Sequence, residues 1–317
     1  MSQKIVNLDA NESMFFAREL EKIKSQTYDV VYPELKATTL IPVSFDAGTA
    51  AESITYRQYD EQGVAKIISN YADDLPRVDV SGKEFTSPVR SAGDSYGYNL
   101  QEIRASAAAN KNLPQRKANA ARRACDQAIN DIAWNARSGD AKWGGLVGLL
   151  YNANITKAQV TTGVGGYTWA LKTADEILRD LNEVVGDMVE LTNGVEVPDT
   201  ILLPLSQYTL IATNPRSTLS DTTILEFFLK SNPSITKVDW LNELNGVNPN
   251  PRTLAAPAVD CMLCYKRSPD KLTLEIPQPF EQLPVEVRGL EYLTLCHERC
   301  GGVIVYYPLS VTIVDGI

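Results

Sequence analysis

Residues 114–137 read PQRKANAARRACDQAINDIAWNAR, and residues 138–150 continue SGDAKWGGLVGLL. Pro114 suits the first position of a helix, where its missing N–H leaves nothing unsatisfied, and Ser138-Gly139 supplies the stop. Ala118, Ala121, Cys125, Ala128 and Ile132 recur at helical spacing, with Arg122, Arg123 and Asp126 off that line. The spacing predicts a helix roughly 36 Å long at ~1.5 Å per residue, a spine against which a sheet can pack. Small residues on its inner stripe allow close approach. The glycine-rich text after it lacks the Gly-Lys-Ser/Thr ending of a phosphate loop. Gly163-Val164-Gly165-Gly166 lacks the strand-before, helix-after setting of a dinucleotide fingerprint. Both read as turns.

Upstream of the spine, Asn11 to Ser25 carries Met14, Phe15, Ala17, Leu20 and Ile23 near one helical face. Val30-Val31-Tyr32-Pro33 and Leu40-Ile41-Pro42-Val43 are β-rich but broken by proline, which suits an arm lying along a surface. From Ser53 to Leu100 the text is strand and turn. Ile54 to Tyr59 and Val64 to Ile68 come first, then Asn70 to Pro76, then an extended run from Arg77 to Arg90. Paired strands this long, polar on both faces, cannot bury themselves alone, so they are expected to project and find a partner. A hairpin folded back on its own domain is the alternative.

Downstream, Thr173 and Glu176 form a capping box for a helix to about Leu191, with Ile177, Leu181, Val184, Val185 and Met188 on its apolar side. Strands are expected at Thr200–Leu203, Thr236–Leu241, Val259–Tyr265 and Leu272–Ile276, and helices at Leu205–Thr213 and Thr222–Lys230. Asn245 to Pro257 reads as connector. The chain ends in strands: Val285–Leu295, Val303–Tyr307 and Ser310–Val314. Strands and helices do not alternate as βαβ units, so the class is α+β.

The 317 residues exceed the size at which a single core tends to split, so two lobes or one elongated domain are expected. No run approaches the roughly 18 apolar residues that span a bilayer, and the first residues have no signal-peptide core. An intracellular product with no targeting segment and no membrane partner is expected. A net charge of -9 argues against a broad basic surface gripping nucleic acid.

The single histidine, His297, removes many hydrolase and metalloenzyme schemes, which need an imidazole beside a nucleophile or several imidazoles on a metal. Cys261-x-x-Cys264 with Cys296-His297-x-x-Cys300 has the ingredients of a zinc site. Both groups fall in expected strands, where alternation would point Cys261 away from Cys264 and Cys296 away from His297. Packed thiols are therefore expected, with no catalytic, metal or cofactor residues. Asp73-Asp74 reads as a loop tip, and Asp175-Glu176 as a first helical turn favoured by the helix dipole.

In order, these elements are an arm, a projecting strand pair, a spine helix, a glycine loop, a mixed lobe and a C-terminal β return. The sequence resembles the major capsid proteins of tailed bacteriophages, of the Hong Kong ninety-seven type. The stretches that carry the resemblance are Asn135-Ala136-Arg137-Ser138-Gly139-Asp140 leading to Gly145-Leu146-Val147-Gly148-Leu149, and Leu295-Cys296-His297-Glu298-Arg299 followed by Tyr306-Tyr307-Pro308-Leu309-Ser310-Val311-Thr312-Ile313.

The resemblance implies an N-terminal arm (1–49), an extended loop (50–92), a peripheral domain with the spine helix (93–150), an axial domain (151–275) and C-terminal strands returning to the peripheral domain (276–317). It implies homo-hexamers and homo-pentamers in an icosahedral virion head around double-stranded DNA, bound without sequence specificity. Scaffolding, portal and decoration proteins are candidate partners. No long charged leader precedes the arm, which favours a separate scaffolding protein. The expected intersubunit contacts are Asn70, Tyr71, Asp73, Asp74, Leu75 and Arg77 at the loop tip, with Glu298 and Arg299. Lys66 and Lys83 lie in the loop, and no match assigns either a covalent link. An encapsulin-type compartment shell and a zinc-dependent enzyme are the competing readings.

Overall fold

The computed structural model describes residues 30, 32–64, 77–109, 113–217, 220–246 and 259–317. The chain divides into residues 1–34 and residues 35–317. In the first unit, Tyr32 to Glu34 are exposed and irregular, and the expected helix from Asn11 to Ser25 lies outside the described residues.

The second unit opens with α1 (Ala37–Leu40) and β1 (Val43–Ser44), then the long strands β2 (Ser53–Gln62), β3 (Asp79–Pro88) and β4 (Arg90–Asn99). Helix α2 (Leu100–Ala108) and the spine helix α3 (Leu113–Asn135) follow. Next come β5 (Thr156–Gln159), α4 (Ala174–Leu191), β6 (Thr200–Leu203), α5 (Leu205–Thr213), a small hairpin of β7 (Pro215–Ser217) and β8 (Ser220–Thr223), and α6 (Ile224–Ser231). The rest is β: β9 (Lys237–Trp240), β10 (Cys261–Tyr265), β11 (Leu272–Glu275), β12 (Gln278–Gln282), β13 (Glu286–Arg288), β14 (Glu291–Cys300), β15 (Gly302–Val305) and β16 (Val311–Asp315).

The spine helix matches its expected span to within two residues at each end. Its last turn shows what the glycine loop does. An α-helix leaves its final carbonyls without intrahelical donors. Here the amides of Gly148, Leu149 and Leu150 donate to the carbonyls of Ala136, Ala133 and Trp134 at 2.9, 2.8 and 3.2 Å. The loop folds back under the helix so closely that a Cβ at Gly148 would lie 2.7 Å from the Ile132 oxygen. The Gly-Leu-Val-Gly-Leu-Leu text is thus a helix terminator with a packing requirement, and Leu146, Leu149 and Leu150 enter the core beside it.

Two sheets organise the body. A five-stranded sheet runs β5-β16-β10-β6-β9, and it is covered on both faces. This explains why β6, β10 and β16 are buried along their whole length and are mostly apolar on both faces. One face joins the core around the end of α3, through Leu263, Tyr265 and Ile313; the other packs under α4, α5 and α6, through Ile201, Met262 and Val314. The capping box Thr173/Glu176 forms as expected and starts α4. The other sheet pairs β4 with β14 over ten residues, with β12 and β13 on the far side of β14, and α3 packs against it. A three-stranded sheet, β1-β11-β15, lies between the hairpin base and the core.

Several elements depart from the sequence reading. Arg90–Asn99, read only as part of strand-and-turn text, is one full strand; Leu100–Ala108 is an unexpected helix; β5, β7, β8 and β12 were not assigned; and the expected strand Val285–Leu295 is split between β13 and β14. The helix is started by an Asn99/Glu102 capping box but buries no residue, so no apolar stripe announces it. Residues 276–317 divide between the sheets: β14 lies beside β4, whereas β16 is an inner strand of the five-stranded sheet.

Candidate assembly surface

Strands β2 and β3 pair along their full length, from Ser53 opposite Pro88 to Gln62 opposite Asp79. Alternation sorts their side chains to two faces. At the base, one face presents Ile54, Tyr56, Phe85 and Ser87 to the body. Tyr56 stacks on Phe85 with ring centres 5.1 Å apart and meets Tyr306 edge-on at 5.0 Å. Its hydroxyl donates to the Val305 carbonyl at 3.4 Å, and Ser87 donates to the Gly301 carbonyl at 3.1 Å. Burial at this anchor pushes the Tyr56 phenol above its ordinary pKa.

Beyond the anchor the support ends. Every residue from Arg57 to Gln62 and from Asp79 to Glu84 is exposed, and among the described residues neither outer edge of the pair is hydrogen-bonded to another strand. On the second face the Tyr59 ring lies across Gly82, where a Cβ would come within 3.0 Å of it. Tyr59, Val64, Val78 and Val80 are between 55% and 76% exposed, an apolar end on a projecting ribbon. Asp60, Glu61 and Asp79 flank it. An unpaired, partly apolar β-ribbon of this kind is a template for association. Arg57 and Glu84 form an exposed cross-strand pair at 2.7 Å, which favours the register but adds little stability.

Strand β14 alternates inward and outward, with Thr294, Cys296, Glu298 and Cys300 buried. Glu298 has no exposed surface, and neither of its carboxylate oxygens has a hydrogen-bond partner. Burial, reinforced by Asp126 on α3, pushes its pKa up to about 7. In this conformation it presents no atom to a neighbouring chain. Arg299, on the opposite side of the strand, donates through its guanidinium to the Thr49 carbonyl and so ties β14 to the segment before the hairpin. Of the expected loop-tip residues, Arg77 is exposed just before β3; Asn70, Tyr71, Asp73, Asp74 and Leu75 lie outside the described residues, as does Lys66.

The cysteines do not converge. On β10, Cys261 enters the core beneath α3 and Cys264 the core beneath α4, on opposite faces of one sheet. Burial pushes the thiols of Cys125, Cys261 and Cys300 up to about 12 and raises those of Cys264 and Cys296. Among the described residues no group of three His, Cys, Asp or Glu is placed to hold a metal.

The anchor residues Tyr56, Phe85, Ser87 and Tyr306 were not singled out from sequence. The available signal was the even-numbered parity of Ile54 and Tyr56 in an otherwise polar strand.

No curated protein matches the chain in sequence. Solved structures match its fold. The capsid of Myoviridae phage XM1 superposes with a TM-score of 0.80 at 18% identity, covering 96% of this chain and 99% of that one. A Mycobacterium phage Ogopogo structure gives 0.61 at 12% identity, over 94% and 97%. The capsid of a native GTA particle gives 0.62 at 11% identity, over 94% and 96%. Residues 63–317, most of the chain, match the family described as Major capsid protein. With its α+β capsid fold, its projecting ribbon and its spine helix, the chain belongs to the major capsid protein family, a structural component of the virion capsid and not an enzyme.

Proposed function

We propose that this chain self-assembles as homo-hexamers and homo-pentamers into an icosahedral head that encloses double-stranded DNA. The observation that carries this reading is the β2–β3 ribbon. It is anchored at its base by Tyr56, Phe85 and Ser87, and it is exposed on both faces from Arg57 to Gln62. A ribbon of this length with so little intrachain support is stabilised by lying on a neighbour.

On this reading residues 1–49 form the arm and 50–92 the extended loop. The sheet of β4 and β14 with α3 is the peripheral domain, and the five-stranded sheet with α4, α5 and α6 is the axial domain. The C-terminal strand β16 is shared into the axial sheet. Arg77 and the residues before it act at the loop tip. Scaffolding and portal proteins are the further partners this reading calls for, and the enclosed DNA is held without sequence-specific contacts.

The test is electron microscopy of the purified protein, alone and co-expressed with a scaffolding protein. Closed shells with five-fold vertices are expected. Small oligomers alone, under every assembly condition, would overturn the proposal.

A further inference from the structure

We propose that the outward face of α2 and of the first half of α3 is the surface that holds the phosphate backbone of duplex DNA. The inference rests on the shell reading above and deepens it, by naming the residues that meet the enclosed DNA.

Charge marks the face first. Between Leu100 and Asp126 the sequence carries six lysines and arginines against only Glu102 and Asp126, a net +4 in a chain whose total is -9. The rest of the chain is therefore at -13, and its field turns phosphate away from every other part of the surface. A broad basic grip is absent, and this narrow one stands alone against it.

The helices then decide where those charges point. Helix α3 buries Ala121, Cys125, Ile129 and Ile132 and packs on the β4–β14 sheet. At about 100° per residue Arg116 and Arg123 fall on its opposite side and Arg122 on the flank. Arg104, Arg116 and Arg122 are exposed. Lys117 turns back instead: its Nζ donates to the Gly97 carbonyl at 2.6 Å and pairs with Glu102 at 3.4 Å. It thus ties α2 to α3 and offsets the only carboxylate of α2, which leaves the arginines to set the sign of the face.

The chemistry between the arginines separates nucleic acid from a protein partner. Asn119, Ala120 and Gln127 are exposed beside them, and among the described residues no large apolar side chain is exposed between Val80 and Val164. A protein interface is built around an apolar or aromatic centre, and this face offers none. Phosphates are met by Arg, Asn and Gln donors, and these are what it presents. Helix α2 also buries no side chain, although a nine-residue helix is marginal without packing, so a polyanion lying along it adds support that the fold withholds. Arg116 and Arg123 are two turns apart, about 10.5 Å along α3. Duplex DNA carries a charge every ~1.7 Å of its axis, so phosphates come within reach of both whatever the base sequence.

The test measures binding of a short random-sequence duplex to the full-length chain, kept below the concentration at which particles form, between about 50 and 200 mM salt. Wild type is compared with R104Q/R116Q/R122Q and with the charge-keeping R104K/R116K/R122K, and circular dichroism confirms folding. The glutamine variant is expected to bind about tenfold more weakly at low salt, with a log–log salt slope shallower by about two to three; the lysine variant should keep the wild-type slope. Should the triple glutamine variant fail to fold, Arg122→Gln alone is expected to take about one from the slope. No binding by wild type, an unchanged slope in a folded glutamine variant, or a lysine variant that loses as much as the glutamine one would overturn the proposal.

Particles give the second readout. In co-expression with a scaffolding protein, the glutamine variant is expected to form shells in wild-type yield. A variant that binds duplex normally yet fails to assemble would give the face to an acidic protein partner and overturn the proposal. Loss of duplex binding in a chain whose wild type forms no shells would keep the DNA face and sink the shell reading; normal shells with unchanged duplex binding would do the reverse.

Discussion

The amide of Gly148 donates to the carbonyl of Ala136 at 2.9 Å, so the loop after the spine helix closes the helix that precedes it. A side chain at 148 would meet backbone on three sides, at 2.7 Å from the Ile132 oxygen and 2.8 Å from the Ala136 nitrogen and the Trp134 oxygen. Backbone cannot swing aside as a flexible side chain can. Gly148→Ala is therefore expected to cost about 1–3 kcal/mol, the range for overpacking. Thermal unfolding of the subunit measures it. Gly139→Ala, where nothing lies within 4 Å, is the control and should change the midpoint little.

The ribbon anchor makes a separate prediction. Tyr56 makes two aromatic contacts, each worth roughly 0.5–1.5 kcal/mol beyond burial. Tyr56→Ala is expected to release the ribbon without unfolding the two cores, so limited proteolysis should cut residues 53–88 faster while the unfolding midpoint moves little. Tyr56→Phe keeps both ring contacts and loses only the 3.4 Å hydroxyl contact to Val305. It should behave as wild type. Equal cleavage of Tyr56→Ala and wild type would show that the ribbon is held elsewhere.

The thiols give a third. All five cysteines are buried, and burial disfavours the thiolate that reacts. In native protein at pH 8 a maleimide reagent is expected to label less than about one thiol per chain, and all five after denaturation, by mass spectrometry. Zinc analysis of the reduced protein should find no stoichiometric metal. Near-stoichiometric zinc lost in Cys261→Ser would contradict the separation of Cys261 and Cys264 onto opposite faces.

Much of this was legible in sequence where a local rule had one outcome. Pro114 and Ser138-Gly139 bracket the spine helix, and Thr173 with Glu176 marks the start of α4, because caps depend on neighbours in the chain. Strand β4 was legible only as part of a longer strand-and-turn text, not as one ten-residue strand. Its text, Arg-Ser-Ala-Gly-Asp-Ser-Tyr-Gly-Tyr-Asn, has no apolar alternation, and what makes it a strand is ten residues of pairing with β14, some two hundred positions away. Helix α2 was missed for a related reason, since it has a cap but no buried face. At the assembly surface the polar two-sided ribbon was readable, but its anchor was not, because Tyr306 meets Tyr56 only through the tertiary fold. Glu298 was expected as a contact residue on the strength of the family resemblance. Its parity with Cys296 and Cys300 pointed inward, and parity prevailed.

That inward carboxyl sets the pH behaviour of the subunit. With both oxygens unpartnered and Asp126 facing it from α3, Glu298 holds its proton until about pH 7, against an ordinary value of 4.5. The folded state therefore binds the proton more tightly than the unfolded chain. Its contribution to stability is fully present below about pH 4.5 and is lost as pH rises to about 7. The slope is at most about 1.4 kcal/mol per pH unit within that window. Glu298→Gln removes the titration while keeping shape and volume, so its stability relative to wild type should rise progressively between pH 4.5 and 7 and then level off. Urea unfolding of both proteins across pH 4 to 8 measures the difference. A constant difference over that range would mean that Glu298 is ionised in the folded chain, and that a cation or a rearranged β14 accommodates the charge.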